Sequence, residues 1–261
     1  MSTKIKHLAI FLLLFLPFFV SLAQSPPVKV SKLTEARAVA SQSINPEYLV
    51  FSPTSAKNKI IPVLIYLHGA GGGRPPLTRL GMQANALRRG IEQYGKGPCY
   101  IVVPQCLPTK KNGERATWVP DDLNLLLDDL LEKFPIDPRR VYLTGNSMGG
   151  YGSWAWGGNS PGRLAAVAPV VGGIGPGGPK DVSPKITEWA KNLAKVPVYA
   201  FAGGKDRVVP AERSERMVRE IRKAGGKHAK LKIYPDAGHN ARQLVFGGRE
   251  FYDWMFAQSK K

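Results

Sequence analysis

The most informative stretch of this chain reads Val141-Tyr142-Leu143-Thr144-Gly145-Asn146-Ser147-Met148-Gly149-Gly150-Tyr151. An apolar strand pattern runs into Gly-x-Ser-x-Gly, and a helix-forming segment follows. The tight strand-to-helix turn that this predicts needs small residues where neighbouring elements press close, and Gly145, Gly149 and Gly150 supply them. Ser147 would then project its hydroxyl at the carboxyl edge of a sheet, with a helix amino terminus behind it to favour negative charge. An ordinary serine in a glycine-rich turn is the alternative.

Strand and helix patterns alternate along the rest of the chain. Apolar or β-branched runs predict strands at 47–53, 60–67, 99–104, 140–144, 165–171, 196–202 and 231–234. Helical spacing is predicted at 77–94, 121–134, 151–156, 186–193, 212–223 and 249–257. The alternation predicts an α/β fold, with a doubly wound, mainly parallel sheet and helices on both faces. In such sheets function gathers where the strands end at their carboxyl edge.

The amino terminus has the pattern of an export signal. Lys4 and Lys6 precede an apolar run, and Ser21-Leu22-Ala23 offers small residues, so we expect cleavage after Ala23 and a secreted or periplasmic protein. An uncleaved anchor is the alternative, but Pro17 interrupts the run and a bilayer span needs about 20 apolar residues. No transmembrane segment is expected after cleavage. The predicted organisation is a signal peptide at 1–23, a mobile lead-in at 24–46 and one α/β domain at 47–261.

The chain is strongly basic, with 37 Lys and Arg against 19 Asp and Glu and a formal net charge of +18. A basic surface can attract acidic polysaccharide, anionic envelope polymers or lipid, and it binds nucleic acid without sequence preference. The basic residues are scattered and are not interleaved with aromatic stacking residues, so we expect no specific nucleic-acid partner. A solvated charged surface without a dedicated partner is the simpler interpretation.

The two cysteines, Cys99 and Cys106, flank a predicted buried strand. Their α-carbons should therefore lie roughly 20 Å apart, beyond the ~7 Å limit for a disulfide. Oxidation is possible in an exported chain, but this spacing predicts two free, buried thiols.

Three candidate catalytic side chains fall at predicted strand ends, in the order Ser147, Asp206, His239. A neutral serine hydroxyl is a poor nucleophile, so a histidine must take its proton and later return it to the leaving group. An acid must hold the imidazole in the useful tautomer, and Asp206 is the candidate. The rival acid, Asp236, lies in the same loop as His239 and would need an awkward reversal to reach its far nitrogen.

A glycine-rich segment after an early strand offers candidate donors for an oxyanion hole. A tetrahedral oxyanion needs at least two preorganised donors, each worth ~3 kcal/mol. The backbone amide of Met148 is one, and in the earlier loop we favour Ala70, with Gly71 second. His68 is expected to pin this loop and not to act as a second base. Trp118 is a candidate for lining the acyl or leaving-group pocket, and an ordinary packing role stays equally open.

Several motifs together carry a family resemblance: Leu67-His68-Gly69-Ala70-Gly71, Pro104-Gln105-Cys106, Ile136-Asp137-Pro138-Arg139-Arg140-Val141-Tyr142-Leu143-Thr144-Gly145, Ser147-Met148-Gly149-Gly150-Tyr151-Gly152 and Gly238-His239. The chain resembles the secreted peptidase or esterase group of α/β hydrolases. That group is related to prolyl-oligopeptidase-like, polyhydroxybutyrate depolymerase-like and feruloyl-esterase-like proteins and to dienelactone hydrolases. The resemblance implies that 47–261 is an α/β-hydrolase catalytic domain. Asn146 departs from the apolar residue or glycine frequent in such elbows, and its side chain is expected to face away from the attack.

The resemblance and the three-part constellation imply a serine hydrolase that cleaves carboxylic esters through an acyl-serine intermediate, with no cofactor and no metal. No propeller or large cap domain is visible in the sequence, so an open site that suits esters is expected. The substrate is expected to be an ester, and a polysaccharide-linked or acidic one is an open option. Three alternatives also stay open: a serine peptidase of the prolyl-oligopeptidase type, acyl transfer to a sugar or lipid hydroxyl, and a non-catalytic envelope- or carbohydrate-binding protein.

Overall fold

A computed structural model of the protein describes residues 28–53, 55, 59–174 and 185–261. These residues form strands β1 (Val28–Lys32), β2 (Glu47–Phe51), β3 (Ile61–Leu67), β4 (Tyr100–Val103), β5 (Ile136–Asn146), β6 (Ala166–Val170), β7 (Val198–Gly203) and β8 (Ala229–Tyr234). The strands make one sheet in the order β1-β2-β4-β3-β5-β6-β7-β8. The pairs β1–β2 and β2–β4 are antiparallel, and the other neighbours are parallel. This confirms the predicted mainly parallel sheet.

Helices cover both faces of this sheet. In chain order they are α1 (Glu35–Ala40), α2 (Leu80–Gln83), α3 (Asn85–Tyr94), α4 (Pro120–Lys133), α5 (Met148–Asn159), α6 (Ile186–Leu193), α7 (Glu212–Lys223), α8 (Arg242–Gly247) and α9 (Arg249–Phe256). One apolar core joins the sheet to α4, α5, α6 and α7, and a second joins it to α3, α8 and α9. In the part of the chain that the structure describes, each helix is too short or too polar to cross a bilayer.

Helix α4 shows how the sequence sets an element. Pro120 stands in its first turn, where a missing N–H costs nothing, and Asp121 and Asp122 complement the positive end of the helix dipole. Lys133 lies in the last turn, where the dipole favours a cation. The apolar face recurs at helical spacing and is buried against the sheet through Leu123, Leu126, Leu127 and Leu130.

The single helix predicted at 77–94 is divided in the structure. A 3-10 turn at Leu77–Arg79 leads into α2, and α3 begins only at Asn85. At Ala84 the backbone tightens, because its N–H bonds to the carbonyl of Gly81, three residues earlier. Helical periodicity alone cannot distinguish this tightening from a continuous helix.

The structure also differs from the predicted mobile lead-in. Residues 28–32 form β1, which pairs antiparallel with β2 along its whole length, and α1 follows at Glu35. The remaining residues of the lead-in, 24–27, and the predicted signal peptide, 1–23, lie outside the described residues. The bounds of the signal peptide and of the catalytic domain therefore stay predictions.

Two buried carboxylates of α4 tie the segment 33–46 to the domain. Asp122 accepts hydrogen bonds from the N–H and the hydroxyl of Ser43, at 2.7 and 2.6 Å. Asp129 accepts from the N–H of Thr34 at 3.0 Å and from the hydroxyl of Tyr48 at 2.6 Å. Burial opposes ionisation of Asp129, but hydrogen bonds from Tyr48 and neighbouring donors outweigh it and lower the pKa of that carboxyl. The contacts join residues about 80 to 95 positions apart, so no local sequence pattern predicts them.

Cys99 and Cys106 are free and buried, as the sequence predicted. Burial raises the pKa of both thiols, that of Cys106 to about 12. Because the thiolate is the reactive form, both side chains behave as small apolar residues at neutral pH.

Candidate active site

A sharp turn joins the end of β5 to the start of α5, and Ser147 occupies it. Its backbone has φ 56° and ψ −120°, which is strained for a residue with a side chain. Neighbouring glycines allow the turn to pack against β3. A Cβ on Gly149 would lie 1.9 Å from the carbonyl oxygen of Leu67, and one on Gly145 would lie 2.4 Å from the oxygen of Gly149. Side chains at these positions are therefore excluded by the packing.

The structure brings Ser147, Asp206 and His239 together at the carboxyl edge of the sheet. β7 ends at Gly203, shortly before Asp206, and β8 ends at Tyr234, shortly before His239. Nε2 of His239 lies 2.9 Å from Oγ of Ser147, and Nδ1 of His239 lies 2.8 Å from Oδ2 of Asp206. The three side chains thus form a continuous hydrogen-bonded chain.

The carboxylate of Asp206 is held in a fixed direction. Its Oδ1 accepts hydrogen bonds from the backbone N–H groups of Val208 and Val209, at 2.8 and 2.9 Å. An ionised carboxylate only accepts, so Nδ1 of His239 carries the proton and Nε2 is free to accept from the serine hydroxyl. This is the tautomer that a general base needs.

The rival acid, Asp236, does not reach the imidazole. Its carboxylate pairs with the ammonium of Lys205 at 2.7 Å, and 90% of its side chain is exposed. The short loop that carries both Asp236 and His239 turns the two side chains in different directions, as the sequence argument expected.

The loop after β3 lies directly beside the nucleophile. It forms a 3-10 turn over Ala70–Gly73, and a Cβ placed on Gly69 would lie 3.5 Å from Cβ of Ser147. On the other side, Met148 opens α5, where first-turn N–H groups have no acceptor within the helix. The loop and the helix terminus therefore both flank Ser147. An oxyanion hole built from the amide of Met148 and that of Ala70 or Gly71 stays a prediction.

His68 pins this loop from inside the protein. Its buried ring donates from Nδ1 to the carbonyl of Gly69 at 2.7 Å, and Nε2 accepts the N–H of Cys106 at 3.0 Å. Because a backbone N–H only donates, Nε2 must be unprotonated and Nδ1 protonated. Burial lowers the pKa of His68 to about 4, so the ring is neutral at neutral pH. Its contacts are those of the loop-pinning role that the sequence suggested.

Trp118 lies behind the same loop. Its Nε1–H donates to the carbonyl of His68 at 3.1 Å, and its ring packs against the His68 ring with centroids 4.9 Å apart. Only 4% of Trp118 is exposed. Of the two roles that the sequence left open, the structure favours packing over lining a substrate pocket.

Gln105 also supports this loop, a role that was not predicted from the sequence. Its buried amide donates to the carbonyls of Gly72 and Pro75, at 3.0 and 2.8 Å. A sequence signal exists, because Gln105 is a polar residue placed two positions after the fully apolar β4. A buried amide can satisfy several carbonyls at once, which suits a loop with few hydrogen bonds of its own.

Two clefts flank α8, the helix that follows His239. One, of about 550 Å³, lies between α3 and α8 and has Arg89, Tyr94 and Arg242 in its wall. The other, of about 430 Å³, is lined in part by Tyr234 and Asn240. Across the described ranges, His, Cys, Asp and Glu side chains form no group of three or more that could hold a metal ion.

Sequence comparison relates the chain to known hydrolases. The model of the dienelactone hydrolase family matches residues 109–242, a range that includes Ser147, Asp206 and His239 but not the loop after β3. A candidate carboxymethylenebutenolidase of Salmonella typhimurium is 35% identical over 106 residues, which cover 40% of this chain and 37% of that protein. An acetylxylan esterase of Coprinopsis cinerea is 26% identical over 138 residues, covering 48% of this chain and 34% of that protein. The chain thus spans little more than a third of the length of either relative.

Solved structures share the fold. A thermostable esterase superposes with a TM-score of 0.69 and 24% identity, covering 90% of this chain and 64% of that one. An acylaminoacyl peptidase of Pyrococcus horikoshii superposes with a TM-score of 0.60 and 16% identity, covering 88% of this chain and 40% of that one. Together with the parallel sheet they establish an α/β-hydrolase fold. Since the family match spans more than half of its 261 residues, the chain is a hydrolase that belongs to the dienelactone hydrolase family.

Proposed function

We propose that the protein is an exported serine hydrolase that cleaves carboxylic esters through an acyl-serine intermediate. One observation carries the proposal: the imidazole of His239 bridges the hydroxyl of Ser147 at 2.9 Å and the carboxylate of Asp206 at 2.8 Å. Such a chain activates an alcohol for attack on a carbonyl carbon. The acetylxylan esterase among the relatives supports an ester as substrate.

In the first half-reaction, Oγ of Ser147 attacks the ester carbonyl carbon while Nε2 of His239 takes the hydroxyl proton. The carbonyl electron pair moves to oxygen, and the oxyanion accepts hydrogen bonds from the amides of Met148 and Ala70, or of Gly71 in place of Ala70. Asp206 stays ionised and stabilises the imidazolium. The tetrahedral intermediate then collapses, the bond to the leaving oxygen breaks, and Nε2 returns its proton to the departing alcohol.

In the second half-reaction, water attacks the acyl carbon and gives its proton to His239. Collapse releases the carboxylic acid and restores the hydroxyl of Ser147, so that no proton or electron is gained or lost over the cycle. A sugar or lipid hydroxyl that replaced this water would give acyl transfer by the same steps. No step requires a cofactor.

The proposal also covers location and substrate. Export rests on the signal pattern at 1–23, which lies outside the described residues. Mass spectrometry of the secreted or periplasmic fraction should find an amino terminus at Gln24, and an uncut chain in the cytosol would contradict export.

For the substrate, an acetylated xylan is the first polymer to test, and a basic surface would favour acidic polysaccharides over neutral ones.

The decisive experiment compares two serines of the same segment. Replacing Ser147 by Ala should abolish turnover of p-nitrophenyl acetate and butyrate and labelling by a fluorophosphonate. The control is Ser153→Ala, because the Ser153 hydroxyl donates to the carbonyl of Gly149 within α5, and its removal should leave turnover intact. Full activity of Ser147→Ala would overturn the proposal.

Two further outcomes distinguish the alternatives. Hydrolysis of a short peptide that outpaces hydrolysis of the ester with the same acyl group would favour the peptidase. Salt-sensitive binding to an acidic polysaccharide without turnover of any ester would favour the binding protein.

A further inference from the structure

Asn146, the residue before the nucleophile, ends β5 and is only 7% exposed. Its Oδ1 accepts a 2.5 Å hydrogen bond from the hydroxyl of Tyr66 on the neighbouring strand β3. Its Nδ2 lies beside the loop after β3, because a Cβ placed on Gly69 would be 3.2 Å from Nδ2 and 3.5 Å from Cβ of Ser147. The amide nitrogen therefore lies beside the loop that flanks Ser147, whereas the sequence predicted a side chain that faces away from the attack.

The hydroxyl of Tyr66 sets which way the amide points. Its single proton is donated to Oδ1 of Asn146. Turning the amide over would take this acceptor away from the buried tyrosine hydroxyl, and an unsatisfied buried donor is costly. Tyr66 therefore holds Nδ2 toward the loop.

This donor is not used inside the protein. Among residues 28–53, 55, 59–174 and 185–261, no acceptor takes a hydrogen bond from Nδ2, and the atom is not sealed from solvent. A sealed donor without an acceptor would cost about 1–3 kcal/mol. Nδ2 avoids that cost because it is in contact with solvent, so water or a substrate oxygen can reach it.

We propose that Nδ2 of Asn146 donates a hydrogen bond to the carbonyl oxygen of the ester as negative charge develops on it. It would act beside the backbone amides of Met148 and the loop after β3. Tyr66 is a positioning residue, which acts through the orientation of the Asn146 amide. This assignment rests on the serine-hydrolase function proposed above.

The test exploits the weak hydrogen-bond acceptance of sulfur. Asn146→Leu removes the donor, and kcat/KM for p-nitrophenyl acetate should fall roughly 10- to 100-fold, mainly through kcat. For O-(p-nitrophenyl) thionoacetate, in which sulfur replaces the carbonyl oxygen, the loss should be several-fold smaller. A variant that merely displaced Ser147 would slow both substrates equally.

Three companion variants sharpen the result. Asn146→Asp keeps the acceptor for Tyr66 but replaces the donor with a repelling oxygen, so its loss should exceed that of Asn146→Leu. This variant is isosteric and carries the test if the leucine variant does not fold. Tyr66→Phe frees the amide to turn and should give a smaller loss with the same preference for the oxygen ester. The control, Asn124→Leu, removes an amide bonded to Ser160 and Trp156 on another face of the domain, and should leave the ratio of the two rates unchanged.

The outcomes separate the two proposals. If the unmodified protein hydrolyses neither ester, the serine-hydrolase function fails. If it hydrolyses p-nitrophenyl acetate but Asn146→Leu and Asn146→Asp slow both esters equally or not at all, only the role of Asn146 is overturned.

Discussion

Oδ2 of Asp206 lies 2.8 Å from Nδ1 of His239, although 33 residues separate the two side chains in the sequence. The turn after β7 sets the direction of the carboxylate, since two backbone amides hold its other oxygen. Asp236 is much closer to His239 along the chain, yet it pairs with Lys205 at the surface. Asp206 therefore belongs to the hydrogen-bonded chain and Asp236 does not, so the same substitution can be compared at the two positions.

Asp206→Asn should lower kcat for p-nitrophenyl acetate by about 10³- to 10⁴-fold, because an amide can stabilise the wrong tautomer of His239 and carries no charge to offset the imidazolium. Asp236→Asn should change kcat by less than about twofold, because the exposed pair with Lys205 contributes little. Steady-state kinetics of both variants give the comparison. A larger loss at Asp236 would reverse the assignment of the acid.

Ser147→Gly should be more stable than Ser147→Ala by about 1 kcal/mol in urea unfolding, although both lack the nucleophile. The position has φ 56°, which strains any residue with a Cβ but not glycine. At Ser153, inside α5, the order should reverse, because glycine in a helix costs about 1 kcal/mol relative to alanine. If the glycine variant were the less stable one at both sites, the backbone of Ser147 would not be strained.

Stability should fall on acidification between the pKa of an unfolded histidine, 6.5, and the folded pKa of His68, about 4. In that window the unfolded chain binds a proton at His68 that the folded chain excludes, so folding is progressively disfavoured. The full effect of this one group is about 3 kcal/mol. It is absent above pH 6.5 and does not grow below pH 4.

His68→Gln isolates this contribution, because glutamine does not titrate. The variant should be less stable than the parent at pH 7, where the neutral imidazole makes both of its hydrogen bonds. Its unfolding free energy should then depend less on pH between 6.5 and 4 than that of the parent. If the unfolding free energies of the two proteins changed equally with pH, the imidazole of His68 would not be held neutral by the fold.

Asp122→Ala should lower the unfolding free energy by about 2 to 4 kcal/mol, because it leaves the N–H groups of Gln42 and Ser43 and the Ser43 hydroxyl without their acceptor. Its neighbour Asp121 is exposed, and Asp121→Ala should cost no more than about 0.5 kcal/mol. Urea unfolding measures both. Limited proteolysis should also cut the segment 33–46 faster in the Asp122 variant alone.

Much of the fold follows from local patterns. Branched apolar runs identify the parallel strands because helices bury both faces of these strands, so that neither face needs polar side chains. Each strand predicted from the sequence is present, with ends that differ by a few residues. The helical periodicity at 77–94 was misleading, because the 3-10 turn at Leu77–Arg79 and the 3-10 hydrogen bond at Ala84 leave the apolar spacing almost unchanged.

The order Ser147, Asp206, His239 after β5, β7 and β8 can be read from the sequence, because parallel strands bring their carboxyl ends to one edge of the sheet. The candidate oxyanion loop is readable too, from its glycines. These features depend on where a residue lies relative to its own strand, and such information is local. That locality is why one sequence suffices to place them on the same edge.

Contacts between distant segments cannot be read from the sequence in this way. The carboxylate of Asp122 holds a turn about 80 residues earlier, Trp118 supports His68 from behind, and the hydroxyl of Tyr66 orients the amide of Asn146. A side chain's direction there depends on which partners the packed core presents, and chain spacing does not encode those partners. The sequence therefore identifies the nucleophile, base and acid as candidates, while folding places the side-chain amide of Asn146 beside the loop that flanks Ser147.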